Sequence, residues 1–237
     1  ADPAVESRFG PLLVGRKHEI ELLMKALHLA QAGEAQLVLL GGDHGSGKAT
    51  LLREFERRTK SRGALVLHGR FAERSEPALT YQGFGDAVRE YLDTTSATPA
   101  NALGDLLPEL RRMFPELAES ASLTFSSRDD RAMTFDLLAR AVSSMAIDKP
   151  AVLLFEGLHM ADASLEAIQY VFNRKASSRL MIVGSYVDSR RSEGDPLSRL
   201  VKSIRGVQGA LLLQLKPLDA EECRQLAGSI LGEERVC

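Results

Sequence analysis

The chain has 237 residues, 44% of them hydrophobic, which is enough apolar material for one large domain or two small ones with a proper core. Its 30 Lys and Arg nearly balance 32 Asp and Glu, a net charge of −2, so it carries no overall basic footprint for nucleic acid. With no Trp and 5% aromatic residues it is also poorly equipped for base stacking, and no nucleic-acid partner is evident. In chain order, residues 1–10 read as a polar tail. A helix is predicted over Arg16–Ala32, where Ile20, Leu23, Leu27 and Ala30 form one stripe. An apolar strand follows at Gln36–Gly41, then a glycine-rich segment, a helix from Lys48 to about Arg58, and a strand at Ala64–His68. Between Phe71 and Asp130 there is no clear strand, only helical pieces broken at Pro99, Pro108 and Pro115. The helix Arg131–Ile147 repeats the core spacing with Phe135, Leu138, Val142 and Met145. A strand at Ala151–Phe155 leads to the helix Asp162–Arg174, with Asp162 as its N-cap and Leu165, Ile168 and Phe172 facing inward. The last strands are Leu180–Ser185 and Ala210–Leu215, separated by a polar segment at 188–195 that is expected to be a mobile loop.

The strands are short continuous apolar runs, as in strands covered on both faces. Their alternation with helices predicts an α/β fold with a largely parallel sheet. The helical stretch at about 71–148 is then an insertion between the second and third strands. The two cysteines, Cys223 and Cys237, build neither a disulfide framework nor a metal cluster, and Cys223 is expected to pack on a helix. The polar N-terminus is no signal peptide, and no apolar run reaches the roughly 20 residues that span a bilayer. The expectation is a cytoplasmic protein with no membrane partner.

The segment Gly42, Asp43, His44, Gly45, Ser46, Gly47, Lys48, Ala49, Thr50 fits the frame G-x-x-x-x-G-K between a strand and a helix. In that setting backbone N–H groups and the helix N-terminus hold an anion, and Lys48 reaches the β- and γ-phosphates of a nucleotide. The frame also asks for Ser or Thr after the lysine as a Mg²⁺ ligand, and here that residue is Ala49. Thr50 is one residue late, although it can still serve the α-phosphate. A second acidic site is expected at the end of an apolar strand, and the candidate is Glu156, followed by Gly157.

These stretches, in order, resemble the P-loop ATPase domain of the AAA/STAND group, signal-transduction ATPases of large bacterial regulators and some nucleotide cyclases. Leu13 to Ile20 resembles the V-G-R-x-x-E-[LI] box, Tyr81 to Phe84 resembles Y-x-P-F with Gly83 for proline, and Phe114 to Leu117 matches F-P-E-L. Leu158 to Asp162 resembles L-H-W-A-D with Met160 for tryptophan, and Leu215 to Leu218 matches L-x-P-L. The resemblance implies a three-layer P-loop NTPase fold whose five-stranded parallel sheet has the order 5-1-4-3-2. It implies a nucleotide-binding domain over 11–218 and, at 219–237, the start of a truncated or absent helical lid. It places Arg16 near the adenine. It also marks departures: Glu156-Gly157 stands where the family has two acids, and Val187 stands where it often has an arginine near the γ-phosphate. His159 reads as a structural loop histidine.

The expected ligand is therefore ATP or ADP, with Mg²⁺ weakened and Glu156 its remaining ligand, through water, and the one catalytic candidate. The expected role is a regulatory switch or scaffold with weak or absent hydrolysis, working with other domains or protein partners. Two alternatives stand beside it. One is an active ATPase completed by a partner or the missing lid; the other is a pseudo-ATPase that binds no nucleotide and serves as an interaction module.

Overall fold

A computed structural model describes residues 13–71, 81–117, 131–174 and 179–231, with the side chains of 162 and 229–231 outside the description. The Asp162 capping expectation and Cys237 therefore lie outside the described groups. Five strands form one sheet: β1 (Gln36–Gly41), β2 (Leu65–Arg70), β3 (Ala151–Glu156), β4 (Leu180–Ser185) and β5 (Ala210–Gln214). Their order is β2-β3-β4-β1-β5, and the pairings are parallel. This is the order expected from the resemblance, read from the opposite edge. Strand ends shift by one or two residues, and β2 runs on through Gly69 to Arg70, level with Glu156.

Alternate strand residues serve two cores, which is why the strands read as unbroken apolar runs. Val38, Leu40, Val152, Leu154, Met181 and Val183 pack with α1 (Lys17–Gln31) and α2 (Lys48–Lys60). Leu37, Leu39, Leu153, Phe155 and Ile182 pack on the opposite face. There they meet α3 (Gln82–Thr94), α4 (Pro99–Leu103), α5 (Leu107–Met113), α6 (Arg131–Met145) and α7 (Asp162–Arg174). Helices α3 to α6 form the helical insertion between β2 and β3, and the whole is a three-layer α/β arrangement. Prolines sit at the first turns of α4 and α5, where a missing N–H costs nothing. Phe114 is buried beyond α5, and Glu116 pairs with Arg89 at 3.3 Å, so the F-P-E-L stretch fastens α5 to α3.

The segment after β4 differs from the expected loop. Asp188–Arg190 is a 3₁₀ turn, and α8 (Pro196–Ser203) follows, capped by Asp195, whose Oδ1 accepts from Ser198 N at 2.5 Å. Leu197, Leu200 and Val201 bury one face of α8 against the core. The last described helix, α9 (Ala220–Leu231), opens with a reciprocal cap between Asp219 and Glu222. Cys223 lies on α9 but is exposed rather than packed, its thiol directed to the Leu218 carbonyl just before the helix. Among the described residues no helix is long and apolar enough to cross a membrane.

Candidate nucleotide-binding site

The site gathers at the C-terminal ends of the parallel strands, where open α/β sheets leave a crevice. β1 runs straight into the Gly42–Gly47 loop, and α2 starts at Lys48. Gly42, Gly45 and Gly47 have φ of 155°, 78° and 89°, a backbone that residues with a Cβ rarely adopt. A Cβ on Gly42 would also meet Ser46 Oγ at 2.6 Å. The turn closes with Ser46 N donating to Asp43 O at 3.2 Å. Lys48 Nζ donates to the carbonyls of Gly42 at 2.6 Å and Asp43 at 2.8 Å, so its ammonium sits inside the loop. Burial lowers its pKa, against Asp188 and Asp43, which raise it. His44 and Ala49 are exposed; Thr50 is half-buried.

Arg16 is buried, 6% exposed, at the entrance to α1. Its Nη2 donates to Ser46 O at 3.0 Å and to Lys216 O at 2.5 Å, and its Nη1 pairs with Glu19 at 3.0 Å. The guanidinium therefore ties the phosphate loop to the segment between β5 and α9. Gly15 completes this corner: a Cβ there would overlap the Glu222 carboxylate on α9.

The second acidic position is laid out differently from a complete site. Glu156 ends β3, and its ion partner is Arg70 at 3.5 Å on β2, the neighbour away from β1. Both side chains are largely exposed, so the pair is weak. Gly157 has φ 80°, and a Cβ there would overlap the Phe71 carbonyl oxygen. Val187 is buried and directs no polar group to the loop. Ala49 has no oxygen to give, and among the described residues no group of three or more His, Cys, Asp or Glu is gathered for a metal. These residues do not fit an inner-sphere magnesium site.

Two residues enter the site that the sequence does not place there. His159 follows β3 in a 3₁₀ turn, and its Nδ1 is buried with no hydrogen-bond partner among the described residues. Burial lowers its pKa, and the charges of Arg190, His44 and Lys48 lower it further. Arg190 comes from the turn after β4, which is fixed to the phosphate loop by Ser189 N donating to Asp43 Oδ1 at 3.2 Å. Next to it, Asp188 accepts from Gln214 Nε2 and pairs with Arg191 at 3.7 Å. Tyr186 Oη is buried over Gly41 without a hydrogen-bond partner among the described residues, and burial raises its pKa.

A sequence model described as AAA ATPase domain matches residues 12–183. An uncharacterized protein of Rhizobium meliloti (strain 1021) is 25% identical over 245 residues, covering 97% of this chain and 23% of that protein. Among solved structures the fold is similar to Cdc6p from Pyrobaculum aerophilum: 16% identity, TM-score 0.55, 96% of this chain and 52% of that one. It is similar also to Drosophila ORC bound to DNA: 14% identity, TM-score 0.52, 95% of this chain and 48% of that one. At these identities the two structures bear on the fold alone. The chain spans about a quarter of its curated relative and about half of each solved chain.

Proposed function

Because the chain belongs to the AAA ATPase domain family, we propose that it is an ATP- or ADP-binding module that works by occupancy, as a regulatory switch or scaffold, with weak or absent hydrolysis. One contrast carries this reading. The phosphate-holding half of the site is whole: a loop of left-handed glycines, a helix N-terminus and Lys48. The half that would serve magnesium and the attacking water lacks its groups at Ala49, Gly157 and Val187. Hydrolysis needs a positioned water and neutralised charge on the γ-phosphate. Binding needs neither. Arg16 shapes the phosphate loop from behind, and Glu156 is the one carboxylate left at the second position. The output is read by other domains or protein partners, through α9 and the segment that Arg16 ties to the loop.

Titration with ATP and ADP tests this. Lys48→Ala is expected to weaken both nucleotides by about tenfold to a hundredfold, the loss of hydrogen bonds from a charged donor. Steady-state phosphate release by wild type is expected at background. Unchanged binding in Lys48→Ala would sink the nucleotide assignment. Robust wild-type turnover, abolished by Lys48→Ala, would instead favour an active ATPase.

Metal dependence is a separate expectation. ATP affinity of wild type should change less than about twofold between Mg²⁺ and EDTA, whereas Ala49→Thr, which adds an oxygen beside the phosphates, should create a difference of about tenfold. Calorimetry under both conditions reads it. Strong Mg²⁺ dependence in wild type would return the metal role to Thr50 or Glu156.

A further inference from the structure

β2 is the outermost strand on its side of the sheet, with β3 as its neighbour. Successive amides of a strand point to opposite sides. Leu65 N donates to Pro150 O at 2.8 Å and Phe71 N to Glu156 O at 2.9 Å, so the odd-numbered amides turn towards β3. The even-numbered ones, at Val66, His68 and Arg70, turn outward. An outward row of this kind is a template for another strand. Here two of these amides are taken by side chains of one helix. His68 N donates to Glu90 Oε2 at 2.5 Å, and Arg70 N donates to Asp86 Oδ2 at 3.2 Å. The match is one of repeat lengths. Two residues of strand advance about 6.6 Å and four residues of helix about 6 Å, so carboxylates four apart on α3 meet alternate amides of β2, with the helix running antiparallel to the strand. Gly69 allows the close approach, since a Cβ there would overlap the Gly83 carbonyl oxygen on α3. Both carboxylates are themselves held. Asp86 Oδ1 accepts from Gln82 Nε2 at 2.9 Å. Glu90 lies 3.0 Å from His68 Nδ1, and His68 Nε2 lies 3.3 Å from Glu56 Oε2 on α2.

We propose that Asp86 and Glu90 close the β2 edge against pairing with the β2 edge of a second copy of this chain, so that the sheet cannot extend across two molecules while α3 is seated. β2 carries no protection of its own. Leu65-Val66-Leu67-His68-Gly69-Arg70 contains neither proline nor lysine, and all six residues pair in unbroken register with β3, without a bulge. A second copy is the partner that fits, because a two-fold axis brings the same edge face to face and antiparallel, each strand's outward donors meeting the other's carbonyls. The caps act in two ways. An ionised carboxylate accepts but cannot donate, so it occupies the outward N–H groups and offers an approaching strand's carbonyl oxygens only negative charge. The closure lies apart from the nucleotide site and needs no ligand.

The test is amide hydrogen exchange at His68 and Arg70, read by NMR, together with sedimentation equilibrium for mass. It uses wild type, Asp86→Ala, Glu90→Ala and the double variant of the full chain. Glu90→Ala should speed exchange at His68 about tenfold, and Asp86→Ala should do the same at Arg70, each sparing the other amide to within about threefold. The double variant should gain mass with concentration, towards twice that of wild type, and exchange at both amides should slow again as it associates. Asp86→Asn combined with Glu90→Gln keeps an acceptor oxygen at each position and should stay at the wild-type mass. Each single variant loses one cap alone, so the single variants decide the assignment even if the double variant does not fold. Exchange at either amide that is unchanged in its own single variant would overturn the assignment of the caps. Fast exchange at both amides in the double variant, with mass equal to wild type at every concentration, would overturn the role against pairing.

Discussion

Gly157→Glu is expected to destabilise the domain by about 3 kcal/mol, a fall of about 10 °C in melting temperature, and to leave ATP turnover at background. By the family resemblance the substitution restores a carboxylate at a position where the family carries one, and a single repair of this kind is expected to recover little turnover. The backbone forbids that repair. With φ at 80°, Gly157 occupies a conformation that residues with side chains rarely adopt, and its Cα faces the carbonyl of Phe71. That carbonyl cannot retreat easily, because Phe71 N donates to Glu156 O at 2.9 Å and the Phe71 ring packs on Phe155 with centroids 5.5 Å apart. Gly157→Ala carries the same Cβ without the charge, so it should lose a similar amount of stability. Differential scanning calorimetry of the two variants separates the explanations. A glutamate variant that melts like wild type and hydrolyses ATP would show that only a functional group was missing.

Arg16→Ala is expected to cost about 3 kcal/mol, or about 10 °C in melting temperature, and to weaken nucleotide binding as well. Removing the guanidinium strips hydrogen bonds from the Ser46 and Lys216 carbonyls and leaves Glu19, 17% exposed, without its cation. Polar groups left unpaired in a buried corner cost more than the net worth of the bonds they made. Because Ser46 belongs to the phosphate loop, the damage reaches the ligand. Arg16→Lys retains the charge but lacks the planar fork, so it should lie between alanine and wild type. Thermal melts paired with ADP titration check this, and an alanine variant within about 2 °C of wild type would remove Arg16 from its clamping role.

Much of this was legible in the sequence where the physics is local. β1 and β4 are apolar runs bounded by breakers, and the glycine frame at 42–47 follows directly from the need for positive φ beside an anion. The order of the strands came through family resemblance, since apolar runs do not state their neighbours. α8 was missed because it has only eight residues, yet its start carried a signal: Asp195 before Pro196, ahead of Leu197, Leu200 and Val201. His159 and Arg190 were illegible for a different reason. Each is an ordinary turn residue in sequence, and only the fold fixes the turn after β4 to the phosphate loop, through Ser189 and Asp43, and buries Nδ1 of His159. Gly157 was read as a lost carboxylate, because its φ depends on how Phe71 crosses it.

The position of β1 in the sheet has a consequence for how the chain acquires its shape. β1 pairs with β4 and β5 and with neither of the strands nearest it in sequence; Gln36 lies opposite Met181, and Leu37 opposite Ala210. Contacts this distant close slowly, because a long stretch of chain must first be brought into order. During synthesis from the N-terminus, β1 and the loop it carries wait for their partners until the last third of these residues has emerged. β2 and β3, by contrast, can pair with each other and with the insertion first. Fragments ending before residue 180 retain the G-x-x-x-x-G-K sequence while lacking β4 and β5, the two strands that flank β1 and the loop it carries.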